Sequence, residues 1–315
     1  MKQSLTKALI GLFLPLMLVL LASSCKKSGH GPKSIYQTIA ADPNYSYLTA
    51  AINKANLQSA LSGDGKSQLT LFAPDNNAFI SAGFKSPSDL LSIPDSTLTQ
   101  VLLYHVLGSK VEASQIPQAD NTPVATLNTQ PVYATRTSGG KVYINGVSVT
   151  KADIECTNGV IHDISRVLLP ATGTIVQTAI ANPNLSYLVA AVLRASQGAT
   201  NVASVLSGSG PFTVFAPTNQ AFMNAGFATT ADINNADPNT LTSILTYHVI
   251  AGRIFSSDLT DGAMPATVNG ETVTISLSGG ATVKGKGNST PSNIIATDIV
   301  TTNGVVHVID QVLLP

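Results

Sequence analysis

The chain repeats itself, and that repetition constrains its fold more than any other feature. Ala41-Asp42-Pro43-Asn44-Tyr45-Ser46-Tyr47-Leu48 returns as Ala181-Asn182-Pro183-Asn184-Leu185-Ser186-Tyr187-Leu188, an offset of 140. Leu71-Phe72-Ala73-Pro74 with Ala78-Phe79 returns as Val214-Phe215-Ala216-Pro217 with Ala221-Phe222, offset 143. Tyr104-His105-Val106 becomes Tyr247-His248-Val249, and Asn158-Gly159-Val160-Ile161-His162 becomes Asn303-Gly304-Val305-Val306-His307. Both copies close on Val-Leu-Leu-Pro, at Pro170 and Pro315. A period this long makes each copy a domain rather than a solenoid unit. The sequence therefore predicts two domains, 34–170 and 174–315, joined only by Ala171-Thr172-Gly173. So short a linker favours a fixed or hinged tandem over independent tumbling.

Periodicity changes along each copy. From Ile35 to Leu61 apolar residues recur at spacings of three and four, which predicts helices. Gln68 to Phe72, and Phe212 to Phe215, are β-favouring runs ending at Ala-Pro. Asp75 and Thr218 can then N-cap a helix that carries Ala78 and Phe79, or Ala221 and Phe222. A further helix is expected over 98–107 and 241–250, containing the Tyr-His pairs. The last third alternates apolar and polar residues and is broken by Ser138-Gly139-Gly140 and Asn145-Gly146, which are hairpin signals. Asn128 and Asn269 mark turns between strands. Early helices followed by antiparallel strands make an α+β domain.

Residues 1–25 read as a secretory signal. Lys2 and Lys7 precede an apolar run from Ala8 to Leu21, which is short for a membrane-spanning helix. Ala22-Ser23-Ser24-Cys25 resembles a bacterial lipobox, although Ala22 stands where leucine is usual. The resemblance implies lipidation of Cys25 and attachment to a membrane through that anchor alone. Lys26, in place of an aspartate that would signal inner-membrane retention, favours the outer membrane of a Gram-negative cell. Residues 26–33 form a polar tether. Cys156 is then the one cysteine left in the mature chain, so it has no intramolecular disulfide partner and reads as a buried, inert thiol.

The motifs resemble those of fasciclin domains. Thr70 to Phe79 and Thr213 to Phe222 resemble the family's first signature. Asn158 to Pro170 and Asn303 to Pro315 resemble its second, with the Tyr-His pairs as a third landmark between them. The resemblance covers the whole mature chain. It implies two tandem fasciclin-like domains, each a β-wedge or sandwich flanked by helices, and a role in cell adhesion or matrix and partner binding. It carries no catalytic mechanism and no cofactor. Adhesion is associated with the Tyr-His region in some animal members, which makes Tyr104, His105, Tyr247 and His248 possible partner-binding residues beside their reading as helix anchors in the core.

Seventeen basic residues balance seventeen acidic ones, and only 11% of the chain is charged. That balance excludes the long-range positive field of a nucleic-acid binder. Ionisable residues shared by the copies are few: His105 with His248, His162 with His307, Asp153 with Asp298, Asp89 with Asp232, and Lys110 with Arg253. They form no nucleophile–base set and no metal-ligand spacing, so metal and catalytic residues are expected to be absent. An uncharacterised hydrolase would need His162 or His307 in a cleft beside Asp153 or Asp298. The leading expectation is a surface-anchored, non-catalytic adhesion module whose partner is an unknown protein or glycan. The alternative is a glycan- or small-molecule-binding lipoprotein for nutrient capture. The stretch Gly285 to Ser292 occurs only in copy two and reads as an exposed loop where specificity could reside.

Overall fold

A computed structural model describes residues 31–63 and 67–315. The signal segment, Cys25 and most of the tether lie outside the described residues.

The first copy opens with α1 (Ile35–Ala41), begun by a capping box: the Ser34 hydroxyl accepts the Gln37 amide while the Gln37 side chain accepts the Ser34 amide. A turn started by Pro43 leads into α2 (Ser46–Lys54), and α3 (Gln58–Ser62) follows. Strand β1 (Leu69–Pro74) runs into α4 (Asn76–Ser81), N-capped by Asp75 as the sequence predicts. Helix α5 (Asp95–Tyr104) then ends three residues earlier than expected. His105 is its C-cap, and Val106–Leu107 form β2, antiparallel to β1, because the Phe72 amide donates to the His105 carbonyl at 2.9 Å. Strands β3 (Thr122–Ala125), β4 (Pro131–Arg136), β5 (Val142–Ile144), β6 (Val147–Cys156) and β7 (Gly159–Ile164) complete the copy.

The second copy repeats the plan with α6 (Ile175–Ala181), α7 (Ser186–Ala195), α8 (Val202–Ser207), β8 (Phe212–Pro217), α9 (Asn219–Asn224), α10 (Thr230–Asn235) and α11 (Pro238–Tyr247). It continues with β9 (Val249–Ala251), β10 (Thr274–Ser276), β11 (Thr282–Lys284), β12 (Ser292–Thr301) and β13 (Gly304–Ile309). Here too the helix stops at Tyr247 and the chain turns into a strand at Val249 rather than continuing to Ile250.

The sheet orders are β2-β1-β7-β6-β5-β4-β3 and β10-β11-β12-β13-β8-β9. Late strands pair as antiparallel neighbours, while β1 lies parallel to β7, and β8 parallel to β13. Every residue of β1 is buried, as a strand covered on both faces requires. Leu69, Leu71 and Ala73 pack with Ile39, Leu48, Ile52 and Leu102 on the helical side. Phe72 points the other way, into the wedge with Tyr104, Val132, Ile144 and Val147. Burying each such side chain contributes about 1.5–3 kcal/mol, so β1 ties the two halves of the core together.

Candidate functional site

The shared histidines are internal pins. His105 is 1% exposed. Its Nδ1 donates to the Val101 carbonyl at 2.7 Å, and its Nε2 accepts the Leu168 amide at 2.9 Å. An amide can only donate, so the second contact fixes the neutral Nδ1–H tautomer. His248 repeats this with the Ile244 carbonyl at 2.8 Å and the Leu313 amide at 2.8 Å. Each ring therefore fastens the closing Val-Leu-Leu-Pro segment to the end of a helix. Desolvation pushes both rings down to about 4, against the opposing pull of the carbonyl each one donates to.

Tyr104 and Tyr247 are fully buried. Tyr104 donates to the Pro131 carbonyl and accepts from Asn145 Nδ2 at 2.9 Å; burial raises its hydroxyl to about 12. Tyr247 donates to the Thr272 carbonyl at 2.7 Å and accepts the Lys286 amide at 2.9 Å. Burial thus leaves no face of Tyr104, His105, Tyr247 or His248 open, which departs from the expectation that they meet a partner directly.

His162 and His307 carry the opposite tautomer. Their Nε2 atoms lie 2.8 Å and 2.9 Å from the carbonyls of Val111 and Ile254, and their Nδ1 atoms accept the amides of Asp153 and Asp298. Both ring nitrogens are occupied by backbone, so neither can take a proton from a substrate in this arrangement. The nearest Asp153 carboxylate oxygen is 3.9 Å from His162 Nδ1. What the His–Asp pairs build is a β-bulge: Asp153 and Asp298 adopt φ of 59° and 63°, where the ladders to β7 and β13 skip register.

Copy two uses this bulge a second time, at the junction with copy one. The Asp298 side chain is 3% exposed and pairs with Arg166 Nη2 at 2.5 Å, while Arg166 Nη1 donates to Thr297 Oγ1 at 3.1 Å. Asp153, its equivalent in copy one, keeps 42% exposure. The Arg253 guanidinium lies 4.1 Å from the centroid of the Tyr133 ring, and Tyr133 packs against Phe255. Asn121 Nδ2 donates to the Arg253 carbonyl at 2.8 Å and to Asp258 Oδ2 at 2.9 Å. The linker is held at both ends, by Gln130 on the Ala171 carbonyl and by the Thr302 amide on the Gly173 carbonyl. The sequence shows a short linker but no sign of this junction, since nothing along the chain pairs Arg166, Tyr133 or Asn121 with residues of copy two.

Asn158 and Asn303 do more than open a hairpin. Asn158 Oδ1 accepts the Ile35 amide at 2.9 Å and Nδ2 donates to the Leu61 carbonyl at 3.0 Å; Asn303 does the same with Ile175 and Leu206. Each clips the first helix to the last hairpin across the whole domain. Cys156 is half-buried, bonded to Thr38 Oγ1 at 3.4 Å, and burial raises its thiol above the usual range. That keeps it protonated and poorly nucleophilic.

The copies diverge on their surfaces. Ile180 and Leu193 are 63% and 59% exposed in copy two, at positions held by Ala40 and Asn53 in copy one. Among the described residues no helix is long and apolar enough to cross a membrane.

The family model of the fasciclin domain matches residues 43–170 and again 184–315. The chain belongs to the fasciclin family. It is 28% identical over 253 residues to transforming growth factor-beta-induced protein ig-h3 of Sus scrofa, covering 80% of this chain and 35% of that protein. It is 30% identical over 254 residues to human periostin, covering 80% of this chain and 29% of that protein. The chain thus spans about a third of the length of these curated relatives. Among solved structures, the FAS1 domain pair of the insect cell adhesion molecule Fasciclin I is similar with a TM-score of 0.42 at 20% identity, over 89% of this chain and 96% of that one.

Proposed function

We propose that this fasciclin chain is an exported lipoprotein that displays its two domains at a Gram-negative cell surface as a non-catalytic adhesion or protein-interaction module. Cys25 carries the lipid, residues 26–33 act as the tether, and the partner is a protein or glycan at the surface. Fasciclin membership supports adhesion over catalysis. The observation that most favours a binding module is the way the interior is spent: all four shared histidines have both ring nitrogens committed to backbone. What differs between the copies lies outside. Arg166–Asp298 and Arg253–Tyr133 hold the two outsides in one arrangement, which favours simultaneous engagement of an extended partner.

Two experiments test this. Metabolic labelling with an alkyne fatty acid should mark the wild-type chain and not Cys25→Ala, which should appear in the medium; equal labelling of both overturns the anchor. Deleting the gene should reduce attachment or aggregation of cells; unchanged attachment together with unchanged crosslinked partners overturns the adhesion reading.

A further inference from the structure

We infer that the free end of domain two carries a cleft for a short neutral carbohydrate strand, an assignment that rests on the binding reading above and names its ligand chemistry. The cleft has a volume of about 770 Å³, within the ~300–1,000 Å³ of ligand sites. One wall is α9 with the turn containing Asn184; the other is Thr290, from the loop present only in copy two, with Gln311 just after β13.

Its polar lining is almost entirely amide and hydroxyl. Asp310 is the one ionisable lining group, and its carboxylate is already satisfied by Ser292 Oγ at 3.0 Å, the Asn293 amide at 2.8 Å and Asn293 Nδ2 at 2.6 Å. No cationic side chain lines the cleft. An anion would find no counter-charge there, and the one carboxylate is already held by three neutral donors. Paired donors and acceptors are what a sugar's hydroxyls require, and primary amides supply both.

The amides are held in place. Gln311 Nε2 donates to the Pro291 carbonyl at 2.9 Å while its Oε1 accepts Thr290 Oγ1 at 3.3 Å. Gln220 Nε2 donates to Asn224 Oδ1 at 2.9 Å, leaving Gln220 Oε1 and Asn224 Nδ2 without a protein partner among the described residues. Between these polar groups Met223 and Ile295 are 40% and 56% exposed, giving the aliphatic surface on which the C–H face of a pyranose ring rests.

The corresponding ends of the two copies carry different side chains. Gln311 occupies the position of Arg166, and Gln220 and Asn224 occupy those of Asn77 and Ser81. In domain one that position grips domain two through Asp298. In domain two the equivalent side chain is an uncharged amide facing a cleft instead of a neighbour.

Titration calorimetry on the full-length chain in detergent micelles tests this, with maltotetraose and cellotetraose as neutral probes and tetragalacturonate as the anionic comparator. Saturable one-to-one binding of at least one neutral probe is expected. Gln311→Ala and Asn224→Ala should each weaken it tenfold or more, Asn77→Ala in domain one should not, and unchanged melting temperatures show that the variants fold. The assignment is overturned if neither neutral probe binds, if tetragalacturonate binds better, or if both cleft variants bind normally. Crosslinked partners on intact cells distinguish the two readings: if Gln311→Ala cells keep them while the neutral probes fail to bind, the cleft assignment falls and surface adhesion stands.

Discussion

The buried histidines make stability depend on pH in a direction and size that follow from the structure. His105 and His248 titrate near 6.5 in the unfolded chain and at about 4 when folded, because burial disfavours the charged ring. Between those values the unfolded state holds more protons, so stability falls as pH falls. The contribution is complete above pH 6.5 and lost progressively down to pH 4. A gap of about 2.5 pH units corresponds to about 3 kcal/mol per histidine at the acid limit, and to about 2 kcal/mol at pH 5. Asp163 acts the other way, since burial raises its carboxyl and its protonation favours the folded state. Comparing wild type with His105→Gln cancels that opposing group. Urea unfolding at pH 7 and pH 5 is the assay. The stability advantage of wild type over His105→Gln should shrink by about 2 kcal/mol on going to pH 5, and the double variant His105→Gln/His248→Gln should double that shrinkage. A difference independent of pH would refute the buried neutral ring and with it the pinning of Leu168.

Three further outcomes follow from named contacts. Gly159→Ala places a Cβ on the Leu69 carbonyl at a φ of +146°, so β1 and β7 cannot stay in register; we expect loss of more than about 3 kcal/mol, seen as loss of the folded circular-dichroism signal. Asn158→Ala leaves the Ile35 amide and Leu61 carbonyl without their buried partner and should cost about 2–3 kcal/mol in urea unfolding; an unchanged midpoint would contradict the clip. Arg166→Ala leaves Asp298 with Ser256 as its remaining donor, costing about 1–3 kcal/mol at the junction. Spin labels on the two domains should then give a broader distance distribution, whereas an unchanged width would place the lock elsewhere.

The domain repeat and the order of helices and strands were legible because both are periodic along the chain. The helix end at His105 was not. Val106 and Leu107 continue an apolar helical pattern, and only their pairing with Leu71 and Thr70 turns them into a strand. The partnership of β1 with β7 likewise joins residues far apart in sequence. At the candidate site, local residue types identified the histidines as structural candidates but could not show which backbone groups they hold. The junction was invisible for a different reason: Arg166, Tyr133 and Asn121 acquire meaning only from what the second copy presents to them. Copy-specific residues escape a reading built on what is repeated.

The central claim is that binding resides on surfaces where the copies differ, with the shared interior serving only to hold them. Crosslinking on intact cells, followed by mapping of the linked residues, tests it most directly. The account predicts crosslinks at residues such as Gln220, Asn224 and those of the loop Gly285 to Ser292, with capture preserved in folded His105→Gln and His248→Gln variants. Capture lost in those folded histidine variants, with surface substitutions leaving it intact, would contradict it.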